Sequence, residues 1–322
     1  MREPAFRAAV VGVGHLGRHH ARILGAAPEV DLVAVVDVDL ERARAVAADV
    51  GTVALPTVGE IEAPVDGVVV AVPTRDHVRV GLPLLEAGVA VLVEKPIAAS
   101  IAEADRLIAA AAASGATLAV GHTERHNPAV TAALPLISAP RFIEVHRLAS
   151  FQPRSLDIDV VFDVMIHDLD VVLSCVGSEP VSIEAVGVPV LSSRIDIANA
   201  RLRFANGCIA NLTASRISRD RVRKLRVFQP HALVSVDYAE QQVETWKVKK
   251  GEGERTGIDG GRVEVKNAEP LERELDDFVR AARGRTSPRV TGADGRRALA
   301  VAQRIADAMT AGGDPPPVHG AA

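Results

Sequence analysis

Lysine is scarce in this 322-residue chain: Lys95 is the only one among the first 223 residues, and the arginines carry the other strong positive charges of that stretch. Cysteine is scarcer still. Cys175 and Cys208 cannot build a disulfide framework, and two thiols fit a reducing compartment. No apolar run approaches the span of a bilayer. The opening "MREPAFRAAVVGVG" passes straight into a short apolar strand, without the layout of a signal peptide. The net charge is only -4, with pI near 6.2, so there is no basic footprint for nucleic acid or an anionic membrane. A cytoplasmic protein that binds neither nucleic acid nor membrane is expected.

What is present is enough for two cores. Hydrophobic residues make up 48% and charged residues 24%, and 322 residues exceed what one core usually fills. The first part alternates Val/Ala/Leu runs ("AAVVGVG", "VDLVAVVDVD", "VDGVVVAVP", "VAVLVEKP", "TLAVGH") with amphipathic helical stretches. Unbroken apolar strands separated by helices predict an α/β unit, a Rossmann-type doubly wound parallel sheet, over residues 1–122. Ser100 and Glu103 form a capping box that opens "SIAEADRLIAAAAASG".

After about residue 123 the rhythm changes to β-type runs around one marked helix at 162–175. Residues 123–322 are therefore expected to form an α+β domain with a large, mainly antiparallel sheet. Asn206-Gly207 marks a hairpin, and "KKGEGERTGIDGG" is expected to be a mobile loop between strands. The last helix, about 293–310, is expected to pack back on the first domain, and the tail 312–322 to be disordered.

Gly12, Gly14 and Gly17 fall between the first strand and first helix, and Asp37 ends the next strand. A bare G-x-G-x-x-G is weak, but in this context it is the dinucleotide fingerprint. The loop Gly12-Val13-Gly14-His15-Leu16-Gly17 would approach the pyrophosphate at a helix N-terminus. Asp37 would accept from the adenosine ribose and repel a 2′-phosphate, which selects NAD over NADP. The competing reading is a glycine turn that binds nothing. His15, His19 and His20 could be a metal cluster, or solvated and packed imidazoles at a helix start; no metal is expected.

Glu94-Lys95-Pro96 ends a strand, on the side of a parallel sheet where ligands bind. Asp163 and His167, in "FDVMIHDLD", are spaced i, i+4 on one helical face. Oxidising an alcohol to a ketone by hydride transfer requires a base for the hydroxyl proton and a cation for the developing alkoxide, and these residue types supply them. An amphipathic helix with a polar face would show the same "HDLD".

The motifs "VGVGHLGRHHA", "VVD", "VPTRDH", "VEKPIA", "DVMIHDLD" and "EPLERELDDFV", spread over nearly the whole chain, resemble those of the Gfo/Idh/MocA oxidoreductases. The resemblance implies that Lys95, Asp163 and His167 form the catalytic group. It implies that Val72, Pro73, Thr74 and His77 lie beside the nicotinamide half of NAD, and that Glu94 contacts the cofactor. It further implies that the C-terminal sheet has one open face, used for a homodimer or homotetramer. Met165 departs from the many members that carry glycine there, and a bulkier residue would narrow a sugar pocket.

"VGHTERHNPAV" and "DIANARLRFANGCIANLTASRISRDRVRKLRVFQ" are similar to the branch of that family that oxidises C3 of UDP-N-acetylglucosamine in lipid A diamino-sugar synthesis. That narrower likeness implies a nucleotide-sugar substrate and a downstream PLP-dependent aminotransferase. It puts His122, Glu124, Arg125 and Asn127, with Asp163 and His167, at the substrate. The branch usually has phenylalanine where this chain has His126. His122 and His126 could pair on zinc, but no third ligand is near in sequence. The arginines of "RISRDRVRKLR" could serve a diphosphate or guard a solvated strand edge. Two other functions remain: a dehydrogenase of a free polyol such as an inositol, and a non-catalytic NAD-sensing regulator. The regulator should have lost the lysine or the histidine, and both are kept.

Overall fold

Small β-branched side chains buried on both faces suit a parallel sheet between helix layers. In the computed structural model, which describes residues 4–152, 158–250 and 256–311, the apolar runs of the first part form that sheet. In chain order the elements are β1 (Phe6–Val11), α1 (Gly17–Ala26), β2 (Val30–Val36), α2 (Leu40–Val50), β3 (Val53–Leu55), β4 (Gly67–Val70), α3 (His77–Glu86), β5 (Ala90–Glu94), α4 (Ile101–Ser114) and β6 (Leu118–Gly121). The six strands run parallel in the order β3-β2-β1-β4-β5-β6. All four residues of β4 and all five of β5 are buried. The Ser100 hydroxyl accepts from Glu103 N–H, and the Glu103 carboxylate accepts from Ala99 N–H, so the capping box forms one residue wider than its ideal pattern.

The later elements are α5 (Pro128–Ala133), β7 (Phe142–Leu148), α6 (Ile166–Val176), β8 (Pro180–Val188), β9 (Ile197–Phe204), β10 (Ile209–Ser215), β11 (Val222–Gln229), β12 (Ala232–Asp237), β13 (Gln242–Lys250), β14 (Thr256–Val263), α7 (Pro270–Ala282) and α8 (Gly292–Ala311). The eight strands form one sheet, β14-β13-β12-β11-β7-β10-β9-β8. It is antiparallel except where β10 runs parallel to β7. Along β9 the inward residues Ala198, Ala200, Leu202 and Phe204 are buried, while Asn199, Arg201 and Arg203 are exposed. That alternation is the mark of a sheet with one covered face and one open face.

The chain divides into two compact units. Residues 1–127 with 268–299 make the first, and 128–267 with 300–322 the second. Residues of α7 close the core of the first unit: Phe278 meets the ring of Phe6 edge-on at 6.2 Å, under Gly67. The first turns of α8 lie close to β6, where a Cβ on Gly295 would come within 2.7 Å of Val120.

Two expectations change. The polar stretch read as a mobile loop supplies β14, paired with β13 from Thr256 to Val263. Backbone hydrogen bonding, not side-chain hydrophobicity, makes this strand: a Cβ on Gly260 would lie 2.1 Å from Thr245 O, so only glycine permits the approach. Residues 251–255 of that stretch, and the tail 312–322, lie outside the described residues. The arginine-rich run is not a strand edge either. β11 lies between β12 and β7, and its exposed Lys224 and Arg226 stand on the open face, opposite buried Leu225 and Val227. Among the described residues no helix is long and apolar enough to cross a membrane.

Candidate active site

In the first unit the strand order reverses between β1 and β4, and ligands of such sheets bind in the crevice outside the strand ends at that point. The glycine loop stands there. Gly12 has φ 84°, and a Cβ on it would come within 2.7 Å of Ala71 O; a Cβ on Gly17 would come within 1.7 Å of Gly12 O. These two glycines are demanded by the backbone itself. Gly14 is different, because a Cβ there would meet nothing within 4 Å. Its smallness leaves open space over the loop, as close approach of a pyrophosphate requires. The first turn of α1 carries no acidic residue to compete for that position. His15 and Leu16 are exposed on the loop and Val13 is buried beneath it.

Asp37, at the end of β2, is buried. Its Oδ2 accepts from Val13 N–H at 2.9 Å, and its Oδ1 from Asp39 N–H at 2.9 Å. The carboxylate therefore ties the glycine loop to the β2–α2 turn. An open cradle at Gly14, a helix N-terminus and a placed Asp37 all fit a bound dinucleotide.

After β4, Pro73 is exposed and Val72 and Thr74 are half-buried. His77 is buried, with Nε2 3.0 Å from Val72 O and Nδ1 3.0 Å from Pro96 O. Burial lowers its pKa, against the pull of these carbonyls. A neutral ring has one N–H, so it donates to one side only. The ring links the turns after β4 and β5, which border the crevice.

Glu94 and Lys95 close β5. The Glu94 carboxylate faces inward: Oε1 meets His20 Nε2 of α1 at 2.8 Å, and Oε2 accepts from Lys95 N–H at 3.2 Å. Burial alone would raise this carboxyl, but the His20 hydrogen bond and charge, with the Lys95 charge, hold it below its ordinary range. Lys95 is half-buried, and its peptide bond to Pro96 is cis. Of the three early histidines, His20 is the buried one, whereas His15 and His19 face each other edge-on near the surface. Among the described residues, His20, Glu94 and Glu274 are close enough to share a cation, and His122 and His126 are not part of that group.

Beside β5, at the end of β6, His122 is fully buried, and its pKa is pushed down to about 3 by burial first and then by the Lys95 and Arg125 charges. Thr123–His126 make one 3-10 turn. Within it Asn127 Nδ2 donates to Glu124 Oε2 at 3.0 Å, and Arg125 Nη2 to Arg289 O at 3.1 Å. His126 is buried as well and is held to about 3 by burial and by Arg289, Arg125 and Arg273. Both imidazoles are neutral at pH 7.

In the second unit, Asp163 and His167 sit on one continuous helix with an irregular start. Val161–Met165 form a π turn, and the α-helix proper begins at Ile166. Such turns are often found at functional sites, and no spacing rule in the sequence announces one. Asp163 and His167 are half-buried, while Met165 is fully buried in its unit. The next residue, Asp168, is buried and held bidentately by Arg147 of β7, at 2.6 and 2.9 Å. Arg147 in turn lies over the Tyr238 ring at 5.1 Å. "HDLD" is thus not a solvated polar face: it carries an anchor beside a candidate base.

Sequence reasoning did not single out His20 as the partner of Glu94, nor Arg147 and Asp168. Each needs a contact between residues at least 21 positions apart, and no local pattern carries that information.

These features define an NAD-binding Rossmann protein with an oxidoreductase's second domain. Residues 6–122 match the model of the oxidoreductase family with NAD-binding Rossmann fold, and residues 144–232 match the GFO/IDH/MocA C-terminal domain, so the chain belongs to the Gfo/Idh/MocA oxidoreductase family. UDP-N-acetylglucosamine 3-dehydrogenase of Acidithiobacillus ferrooxidans is 40% identical over 95% of this chain and 97% of its own length. The solved structure of that enzyme superposes with TM-score 0.88, covering 96% of this chain and 99% of the other at 38% identity. Inositol 2-dehydrogenase of Rhizobium meliloti is 28% identical over 65% of this chain and 68% of its own. Levoglucosan dehydrogenase in complex with NADH shares the fold, with TM-score 0.84 at 18% identity, over 95% of this chain and 97% of the other.

Proposed function

We propose that this chain oxidises the C3 hydroxyl of UDP-N-acetylglucosamine to a ketone, with NAD as oxidant. The observation that carries the substrate is the 40% identity, over 95% of this chain and 97% of the other, to an enzyme of that name. NAD, when bound, supplies the hydride acceptor. His167 takes the hydroxyl proton, Lys95 stabilises the oxygen as negative charge develops and relays the proton, and Asp163 orients the pair. The sugar loses a hydride from carbon and a proton from oxygen, so the ketone is balanced by NADH and one proton. Glu124, Arg125 and Asn127 hold the sugar or its diphosphate, and the guanidinium is the group best shaped for phosphate. Neutral His122 keeps a second positive charge away from Lys95.

The open face of the eight-stranded sheet, with exposed Val186, Trp246, Val248 and Ile258 among its polar residues, supports assembly of a homodimer or homotetramer, and a 3-keto sugar suits transamination by a PLP enzyme. A reducing, cytoplasmic setting agrees with a chain of only two cysteines.

A free polyol is the second reading, favoured by the relatives named inositol dehydrogenases. NADH absorbance separates the two. Turnover with UDP-N-acetylglucosamine and none with inositols or hexoses, the product being a 3-ketone by NMR, supports the first. The opposite selectivity rejects it.

A further inference from the structure

Arg42, in the first turn of α2, is clamped between two carboxylates. Its Nη1 lies 3.5 Å from Asp37 Oδ2, and its Nη2 lies 2.8 Å from Asp39 Oδ2. The guanidinium is half exposed at 49%, whereas the Asp37 side chain is only 6% exposed. Asp37 forms the floor of the β2–α2 turn and Arg42 its rim. Asp39 is also the N-cap of α2, accepting from Arg42 N–H at 3.1 Å.

This is an unexpected place for a guanidinium in a site that selects NAD. Its planar fork is the side chain best matched to phosphate oxygens, and a nearby arginine is what accommodates the 2′-phosphate of NADP in Rossmann folds. Here two carboxylates and one guanidinium leave the turn with a formal charge of -1. An incoming phosphate dianion would meet net repulsion and a fork already in use.

We propose that Arg42 is a masked 2′-phosphate receptor, and that Asp37 and Asp39 together, not Asp37 alone, set the choice between NAD and NADP. Asp37 excludes the phosphate directly and takes Nη1; Asp39 keeps Nη2 engaged. Removing Asp37 frees half of the fork, and removing both carboxylates frees all of it. The proposal rests on Asp37 being the ribose-side residue of the dinucleotide site.

The test measures binding, not turnover. Calorimetry is run with NAD, NADP and adenosine 2′,5′-bisphosphate on the wild type, Asp37→Ser, Asp37→Ser/Asp39→Ser, and that double variant with Arg42→Ala. Serine at 39 retains an N-cap, so α2 keeps its start. Asp37→Ser is expected to weaken NAD about tenfold, the worth of one charge-assisted hydrogen bond. The double variant is expected to bind NADP and the bisphosphate about tenfold tighter than the wild type, and tighter than Asp37→Ser does. Adding Arg42→Ala should erase that gain, and raised salt should shrink it. A gain that survives Arg42→Ala, or no gain once NAD has weakened, overturns the role of Arg42 alone. Unchanged NAD affinity in Asp37→Ser overturns the ribose assignment and takes the proposal with it. Should the double variant fail to fold, Asp37→Ser against Asp37→Ser/Arg42→Ala carries the same comparison.

Discussion

Glu94 and Asp168 are counterparts in the two units. Each is a buried carboxylate adjoining a proposed catalytic residue in sequence, Lys95 in the first unit and His167 in the second. Each is tied to a buried basic side chain on another element, Glu94 to His20 and Asp168 to Arg147. The difference is in the cation. A guanidinium stays charged at any pH a protein survives, and it grips bidentately. The His20 imidazole offers Glu94 one contact, and the Glu94 carboxyl is held below its ordinary range. The anchor under α6 is therefore fixed, whereas the one under β5 can respond to protons. In both cases a proposed catalytic side chain adjoins a buried carboxylate that is anchored to another element.

The comparison is tested hardest at the reactive residues themselves. Lys95→Ala and His167→Ala should each lower kcat/KM by about three orders of magnitude, the middle of the range for a positioned acid or base. NAD binding, followed by calorimetry, should persist in both. Turnover that survives either change removes that residue from the mechanism and ends its equivalence with the other.

The anchors come next. Arg147→Ala leaves the Asp168 carboxylate buried without its guanidinium and should destabilise by about 3–5 kcal/mol. The loss, read from the urea midpoint, should be the same at pH 6 and pH 8. His20→Phe removes the hydrogen-bond partner of Glu94 and should cost about 1–3 kcal/mol. This loss should depend on pH. The folded pKa of Glu94 lies below its ordinary 4.5, so its contribution is complete above pH 4.5 and disappears as pH falls through the folded value. The gap between wild type and His20→Phe should narrow in acid. A gap that is flat with pH would mean that His20 acts by shape alone.

The sequence shows the first unit far more fully than the second. Its strands and helices announce themselves because each buried strand is a continuous apolar run, and two of the three loop glycines, Gly12 and Gly17, are demanded by the backbone. Lys95 stands out by being alone. The second unit's strands were mostly legible from alternation, down to the hairpin at Asn206-Gly207, but β14 was not. Its Gly257, Asp259, Gly260 and Gly261 carry no hydrophobic period, and the strand exists because β13 offers it hydrogen bonds. The π turn at Asp163 and the pairs His20–Glu94 and Arg147–Asp168 share that invisibility, since each is a property of the packed chain and not of a local window.

His126 gives the smallest effect and the cleanest sign. Its folded pKa is about 3 against 6.5 for an ordinary imidazole, since burial and three arginines oppose its charge. Between those values the unfolded chain binds a proton that the native ring refuses, so stability falls with pH by about 1.4 kcal/mol per pH unit from this residue. Above pH 6.5 the contribution is complete and constant. His126→Phe, which restores the residue usual in the nucleotide-sugar branch, removes the titrating group and keeps an aromatic ring of similar bulk. Taking each protein's urea midpoint at pH 7.5 as its own baseline, the wild type should lose more stability than the variant at pH 5.5, and more again at pH 4.5. Parallel curves would mean that the native ring is protonated in place, and Arg289, Arg125 and Arg273 would then have to be far more solvated than their cluster around it suggests.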